Sequence, residues 1–63
     1  MVMAADREIV LEIVPDEDKL RLRVGHQIIA RATVADRALM NLSHTGRSYA
    51  RRHRMRFVDL TRN

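Results

Sequence analysis

Cysteine and tryptophan are absent from this chain, proline occurs once and glycine twice, and Tyr49 and Phe57 are its only aromatic residues. Without cysteine there is no disulfide and no thiolate metal site. A chain of 63 residues buries only about 60% of its unfolded surface, so regular packing or association of copies must support its small core. The expectation is a homodimer. Two aromatics leave an aliphatic core of Ile, Leu, Val, Ala and Met, and a hydrophobic content of 46% excludes a disordered tail. No apolar stretch approaches the roughly 18 residues that span a bilayer. Met1 to Asp6 lacks the basic region and long apolar run of a signal peptide. Together with the missing cysteine, which is compatible with a reducing compartment, these features lead to the expectation of a soluble, cytoplasmic protein with no membrane partner.

Carboxylates are scarce in the second half. Residues 1–31 carry five bases against six acids, a balance of −1, whereas residues 32–63 carry seven bases against only Asp36 and Asp59, a balance of +5. Eleven of the twelve bases are arginine, the residue suited to bidentate and stacking contacts with phosphate or carboxylate. Five of them fall in the ten residues Arg47 to Arg56, with no acid among them.

Residues Glu8 to Val14 alternate, with Ile9, Leu11 and Ile13 on one face and Glu8, Val10, Glu12 and Val14 on the other, the period of a half-buried strand. Pro15-Asp16-Glu17-Asp18 is turn chemistry, and a second alternating run sets Leu20, Leu22 and Val24 against Lys19, Arg21 and Arg23. A four-residue loop pairs Ile13 with Leu20, Leu11 with Leu22 and Glu12 with Arg21, which satisfies both faces. For the third run, Ile28 to Val34, a three-residue loop from Gly25 to Gln27 would align Ile28, Ala30 and Ala32 with Val24, Leu22 and Leu20, leaving Ile29 and Arg31 on the outer face.

Thr33-Val34-Ala35-Asp36 reads as a helix start, a threonine cap with an acid three residues on. From there Ala35, Ala38, Leu39, Leu42, Gly46, Tyr49, His53, Phe57 and Leu60 keep one face at 3.6 residues per turn, with Gly46 permitting close approach to the sheet. The rival is a break at Ser43-His44-Thr45-Gly46, which would leave Arg54 to Leu60 as a fourth strand. The fold expected is thus α+β, a three-stranded antiparallel meander packed against one C-terminal helix (β-β-β-α), with a C-terminal fourth strand as the variant. Its parts are a tail over 1–6, the meander over 7–34, a basic helical segment over 35–57 and a tail or strand over 58–63, all in one small domain.

The run Ile9 to Gln27, IVLEIVPDEDKLRLRVGHQ, resembles the C-terminal hairpin of the RelE/ParE-type toxins, an acidic turn followed by a strand ending in a Val-Gly-His-like element. It spans about 19 of the 63 residues, lacks the helical hairpin that precedes it in that family, and has Gln27 where the family often has a base. It is read as a charged hairpin, with no function or residue role carried over.

The candidate site is Arg47, Arg51, Arg52, Arg54 and Arg56. On a helix, Arg47, Arg51 and Arg54 share the face opposite Tyr49 and Phe57, while Arg52 and Arg56 flank the apolar stripe. Five unneutralised arginines favour an anionic partner. The first expectation is a small nucleic-acid-binding protein, a regulator, that uses the cluster on phosphates. The alternative is a non-enzymatic interaction module or inhibitor, of the kind that phages and plasmids carry as accessories, docking the arginine face or a sheet edge on an acidic protein. His26, His44 and His53 lack metal-ligand spacing, and are placed in a turn, near a helix break and partly buried in the helical stripe. Asp36, Ser43 and His44 are the residue types of a nucleophilic triad, but neighbours on a helix point about 100° apart. Neither enzyme activity, cofactor, metal nor small-molecule substrate is expected.

Overall fold

The computed structural model of the chain describes residues 7–61. The elements follow the order β1 (Glu8–Val14), β2 (Lys19–Val24), β3 (Gln27–Thr33), α1 (Asp36–His53) and β4 (Arg56–Asp59). The α+β fold with its antiparallel meander and C-terminal helix is the one the alternating and helical periods predict, and the fourth strand is present. Sheet order is β3-β2-β1-β4, with β4 parallel to β1. A parallel neighbour needs a long crossover. Here α1, about 27 Å long at 1.5 Å per residue, carries the chain from one edge of the sheet to the other. The expected tail over 1–6 lies outside the described residues, as do positions 62 and 63.

The β1–β2 register is Leu11 opposite Leu22, Ile13 opposite Leu20 and Glu12 opposite Arg21, as the hairpin pattern predicts. Two residues of the turn, Asp16 and Asp18, take positive φ of 70° and 51°, a conformation that aspartate tolerates better than most side chains. Their acids collect at one end of the sheet, where Val34 N donates to Asp18 O at 2.9 Å and ties the start of the helix to the turn.

The β2–β3 connection departs from expectation. Leu20 faces Ala32 and Leu22 faces Ala30 as expected, but Arg23 faces Ile28 and Val24 faces Gln27 across a bulge. The turn is therefore the two residues Gly25-His26, with Gly25 at φ 61°, and the extra residue is absorbed in the strand. Its consequence is an exchange of faces: Ile29, expected outside, packs against the core, while Ile28, expected inside, sits opposite Arg23 on the outer face and is 40% exposed.

The core is Ile9, Leu11, Leu20 and Leu22 from the two central strands, closed by Leu42 and Ala50 of α1. The four strand residues are almost wholly buried, each stabilising by about 1.5–3 kcal/mol relative to exposure. Ile13, from the same alternating run, is 45% exposed, so the apolar face of β1 extends past the covered region. Val10, on the outer face, is nonetheless buried, because β4 gives β1 a second neighbour and sets it between Arg23 and Val58.

The helix start also differs. Ala35 is the N-cap and no side chain caps it; the Thr33 hydroxyl instead accepts from Lys19 Nζ at 3.3 Å. The helix passes through Ser43-His44-Thr45-Gly46 without a break. Gly46 is what makes this passage possible: it is buried beneath the Phe57 ring and Leu22, where a Cβ would stand 2.5 Å from Phe57 Cε1. The helix ends at His53 rather than continuing to Phe57. Arg54 adopts the left-handed conformation at φ 56° and ψ 47°, Arg54 N turns back to Arg51 O, and Met55 N donates to Ala50 O at 2.8 Å. Together with Met55 packed on the core, this is a Schellman ending with arginine in place of the usual glycine.

Candidate anion-binding site

The break at Arg54 divides the predicted arginine cluster. Arg47, Arg51 and Arg52 lie on α1 and Arg54 on its cap, all exposed. Arg56, expected to flank the helical stripe, is the first residue of β4. There it faces Glu8 across the parallel pair, with Nη1 3.4 Å from the carboxylate. His53, expected to be partly buried, is exposed, its ring 4.3 Å from that of the half-buried Tyr49 and tilted by 35°. Tyr49 itself packs on the core.

Helix geometry sorts the remaining bases. At 100° per residue, Arg37, Arg47 and Arg51 fall within about 80° of one another and point away from the face that carries the buried Leu42, Gly46 and Ala50. Exposed Met40 and His44 occupy the same stripe. Arg37 lay outside the predicted site, although its seven- and fourteen-residue spacing to His44 and Arg51 carries the signal. Arg47 is held at the edge of this face, its guanidinium carbon 5.5 Å from the Phe57 ring centroid, a cation–π arrangement. Arg51, Arg52 and His53 fill the last turn, where cations also favour the negative end of the helix dipole by about 0.3–1 kcal/mol.

Ion pairing distinguishes the arginines. Glu12 accepts from Arg21 Nε at 2.7 Å and Arg23 Nε at 2.8 Å, with only 14% of its side chain exposed. Hydrogen bonding from Arg23, joined by that from Arg21, holds the Glu12 carboxyl below its ordinary value against the opposing effect of burial, and Glu12 in turn raises Arg23. Arg21, Arg23 and Arg56 thus have carboxylate partners. Among the described residues Arg47, Arg51, Arg52 and Arg54 form no ion pair.

Ser43 and His44 are consecutive on α1, about 100° apart around its axis, and Asp36 is at its start. Among the described residues no group of three or more His, Asp or Glu side chains is placed to hold a metal ion, and no helix is long and apolar enough to cross a membrane.

No protein-family model, curated protein or solved structure matches the chain. The arrangement of its own residues is therefore what bears on its activity. It offers an exposed, cationic helix face and helix end, rich in guanidinium donors.

Proposed function

We propose that the protein binds nucleic acid, using Arg47, Arg51, Arg52 and Arg54 of the helix and its cap, with Arg37 on the same side, to contact phosphates. The observation that carries this reading is the division among the arginines: those of the sheet with a carboxylate beside them are paired, whereas the helix-end group is exposed and unpaired among the described residues. Each phosphate neutralised releases condensed counterions, so the reading predicts a salt-dependent affinity with little preference for sequence. Arg56, half engaged by Glu8, contributes less.

Duplex and single-stranded nucleic acid titrated at several salt concentrations test this. Wild-type protein should bind at low salt. Arg51→Ala/Arg52→Ala should reduce the slope of log K against log salt by about 1.8 for duplex, two contacts at about 0.9 each. Absence of binding at low salt would reject the reading. A carboxylate-rich protein surface is the alternative partner for the same face, and it would be recognised by stoichiometric recovery of a protein after nuclease treatment. The reading includes a homodimer through the helix or the open edge of β3; sedimentation giving a monomer mass at micromolar concentration would remove it.

A further inference from the structure

The second cationic surface lies on the opposite side of the molecule. The first half of the chain has a charge of −1 in sequence, but folding separates its signs. Asp16, Glu17 and Asp18 are drawn into the β1–β2 turn. The face of the sheet not covered by α1 is left with Lys19, Arg21, Arg23, Arg31 and Arg56 against Glu8 and Glu12, five bases to two acids. Arg21 and Arg31 stand directly opposite each other across β2 and β3, a like-charged pair that is unfavourable by itself. Glu12 compensates Arg21 and not Arg31. Lys19, two residues from Arg21 on the same face, has only the Thr33 hydroxyl. Among the described residues neither Lys19 nor Arg31 makes an ion pair. Together with Arg21, Thr33, Ile28 and the carboxylate of Glu17 they line an open groove, three bases to one acid.

We propose that this uncovered sheet face is a second phosphodiester-binding surface, held by Lys19 and Arg31, so that one molecule bridges two nucleic-acid segments. The proposal rests on the helix reading above and extends it. Arg37 and Arg51 point away from the sheet and Arg47 lies at the edge of that face beside Phe57, whereas Lys19 and Arg31 stand on the face of the sheet that α1 does not cover, so the two surfaces cannot engage one straight duplex together. The short dimensions of the molecule are 22 and 21 Å, between two and three times the Debye length of about 8 Å at physiological salt. Two duplexes held that far apart are largely screened from each other. With no aromatic residue on the sheet face, its contacts are to the backbone and not to stacked bases.

A capture assay tests this with the full chain. One duplex is immobilised on beads, protein is added, and a second, fluorescent duplex of unrelated sequence is offered. Wild-type protein should retain the fluorescent duplex. Lys19→Ala/Arg31→Ala, both exposed positions, should bind a single duplex within about twofold of wild type yet lose capture to background. Capture that survives in this variant overturns the proposal, since the bridge would then come from association of copies through their helix faces. Loss of single-duplex binding in the variant also overturns it, because the sheet face would then belong to one shared site. Wild-type protein that binds a single duplex and captures no second one refutes bridging alone, whereas wild-type protein that binds no duplex rejects the helix reading on which it rests.

Discussion

Replacing Gly46 with alanine sets two effects of known sign against each other. In a helix interior the change is worth about 1 kcal/mol of propensity in favour of alanine. At this position the new methyl would stand 2.5 Å and 2.9 Å from Cε1 and Cδ1 of Phe57 and 3.0 Å from Cδ2 of Leu22, distances that force the ring or the helix to move. Leu22 is fully buried in the central strand and cannot yield. The displacement falls on Phe57, which in turn positions β4 and the Arg47 guanidinium above it. Overpacking of this kind costs about 1–3 kcal/mol, so Gly46→Ala should destabilise by about 1 kcal/mol net. At about 2.1 cal/mol/K of unfolding entropy per residue, that lowers Tm by about 8 °C. Thermal and urea unfolding followed by circular dichroism would measure it. The decisive control is the same substitution in a Phe57→Leu background. There the clash is relieved and the propensity gain should emerge as a neutral or raised Tm, giving a coupling of about 1–2 kcal/mol in the double-mutant cycle. A higher Tm for Gly46→Ala in the wild-type background would refute the close approach of helix and ring.

Arg54→Gly should stabilise by about 0.5–1 kcal/mol, because glycine adopts the left-handed cap without penalty, while lowering the salt slope of duplex binding by about 0.9; a loss of stability would contradict the Schellman ending. Ile29→Ala should cost about 1–2 kcal/mol and Ile28→Ala less than about 0.5 kcal/mol. The reverse order in urea midpoints would place the bulge elsewhere. Because the folded pKa of Glu12 is depressed, its contribution is fully present above its unfolded value of about 4.3 and disappears as pH falls through the lower folded value. Glu12→Gln should therefore cost about 1–2 kcal/mol at pH 7, as expected for hydrogen bonds to a charged group that is mostly buried, and flatten the acid limb of the stability profile. An acid limb unchanged in the variant would remove Glu12 as its source.

The hairpin register was legible because period-two alternation and opposite charges agree on it: one slip would place Glu12 away from Arg21 and turn Leu11 and Leu22 to water. The third strand was less so. Alternation read across Ile28 and Ile29 has two solutions, and the choice between a longer loop and a bulge is made by cross-strand packing that no local pattern encodes. The helix boundary was obscured for a related reason. Tyr49, His53 and Phe57 continue the helical spacing, but the αL cap is taken by Arg54, a residue with no preference for it. What stabilises the turn is Met55 reaching the core and β4 finding the open edge of β1.

The sequence by itself determined the aliphatic core, the three strands of the meander with the helix after them, and the concentration of arginine between Arg47 and Arg56, since each of these depends on periodicity or composition within a few turns of chain. Only the tertiary structure decided which arginines are free. Glu12 and Glu8 become partners of Arg21, Arg23 and Arg56 through strand pairing, and Asp16, Glu17 and Asp18 are drawn into a turn. A segment that is nearly neutral when counted along the chain therefore presents a net positive face. Ion pairing is set by distance in space, and these distances exist only once the four strands have been brought side by side.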